Sequence, residues 1–119
     1  MKLLFPVFCL LLGLQTTAQP NPVSWTFSVK KTGDKTFEVA MKATIIQGWH
    51  LYSQQQPADA IAIPTEFVWN QNPLIQLKGK IREVGKMERY KDATLGVTAH
   101  QYSGQVTFVQ TVELKAKVK

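Results

Sequence analysis

Three side chains with chemical capacity crowd into the stretch GWHLYSQ, Gly48 to Gln54: the indole of Trp49, the imidazole of His50 and the phenol of Tyr52. An imidazole titrates near neutral pH, so His50 has the intrinsic acidity of a general acid or base. That work needs a neighbour to orient the ring. The nearest carboxylate along the chain, Asp59, lies in a proline-containing stretch with nothing to fix it. The other histidine, His100, is too distant in sequence to define a metal site. Neither an H-x-x-x-H pair nor paired carboxylates accompany the two rings. No G-x-S-x-G turn presents a nucleophilic serine. The residues thus predict no catalytic group, no cofactor site and no metal site. They assign Trp49, Leu51 and Tyr52 to packing, with His50 facing solvent or bonded at a strand end. A binding role is the alternative use of the same residues. Tryptophan and tyrosine offer a flat apolar face with one polar handle, and Trp49, His50, Tyr52 and Trp69 make up the candidate binding surface.

The single cysteine, Cys9, falls in the N-terminal segment MKLLFPVFCLLLGLQTTA. One charge at Lys2, an apolar run from Leu3 to Leu14, and small residues at Thr16 and Ala18 are the layout of a secretory signal peptide. Cleavage is expected after Ala18. The apolar run is shorter than the ~18 to 20 residues that cross a bilayer, so no membrane span is expected once the leader is removed. Removal takes Cys9 with it, and the mature chain then offers no disulfide and no thiolate. Its charge, +6 for the whole chain, stays positive. Export to the periplasm, or secretion, makes nucleic acid an unsuitable partner and leaves anionic surfaces or acidic proteins as candidates.

Elements able to position these residues follow from a period of two. Gln19 to Pro22 reads as a linker, and residues 23–119 as one domain. Val23, Trp25, Phe27 and Val29 alternate with Ser24, Thr26 and Ser28, and after a turn at Lys31 to Asp34 the chain returns through Phe37, Val39, Met41, Ala43 and Ile45. Gly33 supplies that turn with freedom to take a positive φ. Gly48 marks a bend at the strand end. Gln54 to Pro64 reads as a long connection, Thr65 to Trp69 as a short strand, Asn70 to Pro73 as a turn, and Leu74 to Leu77 as a return. Leu95, Val97 and Ala99 alternate again, Ser103-Gly104 turns, and Val106, Phe108, Val112, Leu114, Ala116 and Val118 share one face of a last strand. Nothing keeps a helical period. About seven short strands predict an all-β, immunoglobulin-like sandwich of two sheets. The last strand, ending without a partner, reads as an edge protected by Lys115, Lys117 and Lys119, or as the neighbour of a missing hairpin.

Between Lys78 and Asp92 lie six basic and three acidic side chains. A basic docking patch is one reading. The favoured one is a twisted edge strand and a solvated loop whose charges offset each other.

Taken as an ordered set, VSWTFSV, IIQGWHLYSQ, IPTEFVW, GKIREVGK and LGVTAHQYSGQVTFVQTVELK resemble the N-terminal periplasmic domain of the thiol:disulfide interchange protein DsbD, in its Bacteroidetes-type form. The resemblance runs from about Pro22 to Lys119. It implies an immunoglobulin-like sandwich in the periplasm, and a thioredoxin-like or membrane redox protein as partner. In that family a cysteine pair on a further hairpin carries the chemistry, and this sequence ends before it. No position inherits the catalytic role, because thiol exchange needs a sulfur nucleophile. The expectation is a redox-inactive domain that acts by protein contact. The alternative is a carbohydrate- or surface-binding module that stacks ligands on its exposed aromatics.

Overall fold

The computed structural model describes residues 21–115. The leader assigned to residues 1–18 lies outside them, as do the positions of Ala116 to Lys119 in the last predicted strand. Among the described residues there are seven strands and no helix: β1 (Val23–Lys31), β2 (Thr36–Ile45), β3 (Leu51–Tyr52), β4 (Ile75–Val84), β5 (Glu88–Asp92), β6 (Val97–Tyr102) and β7 (Gln105–Leu114). They form two antiparallel sheets, ordered β1-β2-β7-β4 and β3-β6-β5. The all-β, two-sheet architecture is therefore the one the alternation predicts.

The first hairpin has the register read from its apolar positions, with Phe27 opposite Met41 and Val29 opposite Val39. Aromatic and β-branched residues at every second site suit a pleated surface with one buried face. Gly33 closes the hairpin without a positive φ. The N–H groups of Thr32 and Gly33 both donate to the carbonyl of Thr36, at 2.9 and 3.1 Å, and that suffices. The left-handed conformation occurs instead at Gly48 (φ 91°), at the bend before β3, and at Gly104 (φ 78°), between β6 and β7.

Three expectations are corrected. β7 is not an edge, because β2 pairs with one side of it and β4 with the other. Strand order is set by long-range pairing, which a local pattern does not carry. Thr65 to Trp69 forms no strand, although Phe67 and Trp69 do pack inward against the core as their spacing requires. The stretch from Lys78 to Asp92 does begin as the expected edge strand, β4 running on to Val84, but the expected loop is largely strand again, since β5 returns from Glu88.

Its unevenness comes from a bulge in β4. Lys78 pairs with Thr111 while Arg82 pairs with Val109, so β4 spends extra residues against β7. Gly79 takes a φ of 74° there. The interrupted ladder leaves carbonyls without backbone donors, and the buried Gln110 supplies one. Its Nε2 donates to the oxygens of Lys78 and Gly79 at 3.2 and 3.3 Å.

The core is small and lies between the sheets. Met41, Ala43, Ile45, Val106 and Phe108 come from the four-stranded sheet and Tyr102 from the other, with Val39, Leu51, Phe67 and Trp69 packed around them. One carboxylate ties the layers together. Glu83, on β4, accepts from Tyr102 Oη, Ser53 Oγ and the backbone N–H of Gln54, each at 2.7 Å, and from Gln54 Nε2 at 3.0 Å. Burial pushes the Glu83 carboxyl up, but the donors from Tyr102, Gln54 and Ser53 together outweigh it and hold the group below its usual range. Burial and the same carboxylate push the Tyr102 phenol well above its ordinary value.

Candidate functional site

Alternation along the second sheet decides what its outer face presents. Leu51 stands opposite Tyr102 and both face the core, so the residues on either side of them face outward. The outward pairs are Tyr52 with Gln101, Tyr90 with Ala99, and Asp92 with Val97. Together with Ile61 and Ile63 of the long connection they border a groove of about 650 Å³. His50 and Leu95 also line it.

The groove's wall is held by hydrogen bonds rather than by a strand. Thr65 Oγ1 donates to the Tyr52 carbonyl at 2.6 Å. Ser53 N–H donates to the carbonyl of His100 at 3.0 Å. The Gln56 carboxamide then takes the place of a strand residue: its Nε2 donates to the same carbonyl at 2.7 Å, while its Oε1 accepts the His100 N–H at 3.0 Å. The polar run at the start of the connection is thus spent on fastening it to β6. The apolar residues that follow, Ile61 and Ile63, remain exposed, Ile63 by 80%.

Neither acidic residue near His50 is arranged for proton transfer. Asp92 Oδ1 accepts the N–H groups of Thr94 and Leu95 at 2.9 and 2.8 Å, which caps the turn after β5. The Glu88 carboxylate accepts the Ser103 hydroxyl at 2.6 Å. That hydroxyl, more than the charge of His50, holds Glu88 below the usual range. His100 turns to the other face of β6, where its Nδ1 lies 3.1 Å from the Gln55 carbonyl and must be the donor. Its Nε2 is buried without a hydrogen-bond partner among the described residues. His50 and His100 are on opposite faces of one sheet, and among the described residues no group of three or more His, Cys, Asp or Glu is placed to hold a metal ion.

The four residues of the candidate surface do not meet. His50 and Tyr52 line the groove, whereas Trp69 lies half-buried in a separate hollow of about 450 Å³ with Asn70, Gln71, Asn72 and Lys115. Trp49, 52% exposed, lines neither. Trp49 and Tyr52 therefore do not fill the sandwich as their size suggests; of the large apolar side chains in that stretch only Leu51 packs against the core, next to the buried Ser53. Tyr90, Leu95, Ile61 and Ile63 are the site residues that sequence reasoning missed. The signal available was the pair of isoleucines at alternate positions just before Pro64, in a segment otherwise read as polar.

No protein-family model matches the chain, and comparisons with curated proteins and with solved structures yield no match. Among the described residues, no helix is long and apolar enough to cross a membrane. The groove is an exposed apolar depression edged by two phenols and an imidazole, and such depressions take up apolar side chains of a partner.

Proposed function

We propose that this chain is an exported, DsbD N-terminal-like β-sandwich domain of immunoglobulin type that works by protein contact in the periplasm, and that the outer groove of the second sheet is where its partner docks. The partner is a thioredoxin-like protein or the periplasmic part of a membrane redox protein. The observation that carries the reading is the groove itself, where Ile61, Ile63 and Leu95 stand exposed beside Tyr52 and Tyr90. Tyrosines of this kind supply interface area at low entropic cost. Residues 19–119 contain no cysteine, so this stretch has no thiolate of its own with which to begin disulfide exchange, and the role proposed for it is contact.

Titration calorimetry with a purified thioredoxin-like periplasmic protein tests this. Tyr90→Ala and Ile63→Asp are each expected to weaken binding by about tenfold or more, with unchanged thermal midpoints, since both side chains are exposed. Binding that neither substitution alters, or exchange of thiols between the two proteins, contradicts the reading.

One observation favours a second reading, a carbohydrate-binding module. The hollow at Trp69 joins an indole to the carboxamides of Asn70, Gln71 and Asn72, the combination that stacks on and hydrogen-bonds to a sugar ring. A glycan titration followed by tryptophan fluorescence is expected to show a shift that Trp69→Phe abolishes. Silence across neutral and acidic oligosaccharides removes this reading and leaves the first untouched.

A further inference from the structure

Edge strands of soluble β-proteins usually carry charge, proline, a bulge or a cover that prevents pairing with another chain. In the four-stranded sheet the edges are β1 and β4, and they differ sharply. β4 has the bulge at Lys78 to Arg82 and four charged side chains, Lys78, Lys80, Arg82 and Glu83. β1 has nine residues paired on one side only, and from Val23 to Val29 it holds no charge, no proline and no glycine. Its sequence there, VSWTFSV, is rich in β-formers. Phe27 and Val29 are each 66% exposed on the face that their alternation marks as buried.

The backbone of β1 indicates which groups wait at that edge. Ile46 N–H donates to the Pro22 carbonyl at 2.9 Å, and Thr32 N–H to the Thr36 carbonyl at 2.9 Å, one at each end of the ladder. Even-numbered residues therefore bond toward β2. By alternation, the N–H and C=O groups of Val23, Trp25, Phe27, Val29 and Lys31 point outward. The Val23 N–H is met locally by Asn21 Oδ1 at 3.2 Å, and Trp25, Phe27 and Val29, whose backbone groups point outward, are the same residues that carry the apolar face.

We propose that β1 pairs antiparallel with β1 of a second copy of this chain, about a two-fold axis through Phe27, and joins two four-stranded sheets into one of eight strands. In that register Phe27 faces Phe27 of the second copy, Trp25 faces Val29, and these opposed pairs exchange both backbone hydrogen bonds. The charges select the same arrangement: Lys30 falls opposite Ser24 and Lys31 opposite Val23, so no like charges meet in a chain of net charge +6. The aromatic and aliphatic side chains of both copies lie on one side of the joined sheet. The antiparallel direction sets the end of each sheet that carries the second layer beside the bare end of the other. The contact is isologous and closes on itself, so it yields a dimer rather than a fibre.

Two measurements test this. Sedimentation velocity across a concentration series is expected to show a reversible monomer–dimer equilibrium, shifted to monomer by Val29→Pro, which removes an outward N–H and leaves the bonds to β2 intact. In a Cys9→Ser background, Phe27→Cys is expected to form a covalent dimer with oxidised glutathione, because hydrogen-bonded antiparallel partners sit about 5.5 Å apart at Cα, inside the disulfide range. Val29→Cys in the same background is expected to stay monomeric, since it faces Trp25 and not itself. A wild-type monomer at every concentration overturns the dimer. Equal cross-linking at both positions overturns the register.

Discussion

Replacing Phe108 by alanine is expected to lower stability by about 3 to 5 kcal/mol, the largest effect of any single truncation in this chain. Phe108 sits on β7, the central strand, and is fully buried. Its ring centroid lies 4.9 Å from that of Phe67 and 6.0 Å from that of Trp25. Met41 and Glu83 are its cross-strand neighbours. The void left by the ring is walled by two sheets that cannot close on it without breaking ladders, so little of the cavity collapses. In a single domain whose total stability is about 5 to 15 kcal/mol, this removes much of the margin. Urea unfolding should show a lower midpoint with an unchanged slope. A loss below about 1 kcal/mol means that Phe108 does not hold the layers together.

The next largest effect is expected at Glu83. Glu83→Ala strands the Tyr102 hydroxyl, Ser53 Oγ and the Gln54 N–H without their shared acceptor, and hydrogen bonds to a charged group are worth about 1.5 to 3 kcal/mol each before solvent replaces them. Water reaches part of this site, so a net loss of about 2 to 3 kcal/mol is expected. The same carboxylate sets a pH dependence. Its folded-state pKa is lowered from 4.5, so its contribution is complete above the unfolded value and is lost as pH falls through the folded one. The wild type should weaken on acidification below about pH 5, and Glu83→Ala should lose that share of the slope. Parallel pH profiles for the two proteins would remove Glu83 as the tie between sheets.

Legibility in the sequence tracked the range of the interactions involved. The β1–β2 hairpin and β7 were readable residue by residue, because a half-buried strand writes its period of two directly into side-chain type. The Ser103-Gly104 turn was readable for the same local reason. Glu83 was not, since a buried acceptor amid lysines and arginines looks like one more solvated charge until Ser53, Gln54 and Tyr102 are brought to it from other elements. The bulge in β4 hid the period of that strand and made it resemble a loop. Edge position was misread because nothing local distinguishes β7, flanked on both sides, from β1, flanked on one. The lysines near the C-terminus suggested a guarded edge, while the unguarded one lay in the first strand.

The groove was half legible. His50 and Tyr52 stood out by chemistry and by their place after a strand. Tyr90, Leu95, Ile61 and Ile63 join them only through the pairing of β5 with β6 and the return of the long connection. Asp92 and Glu88 come to the His50 side of the sheet only through the fold, and both are engaged with turn donors.

Amide chemical-shift mapping tests the docking surface most directly: titrate isotope-labelled protein with an unlabelled thioredoxin-like periplasmic partner and record which residues move. Perturbations gathered on Tyr52, Ile61, Ile63, Tyr90 and Ala99 are the expected result. Shifts confined to the opposite sheet, or none at partner excess, would contradict it.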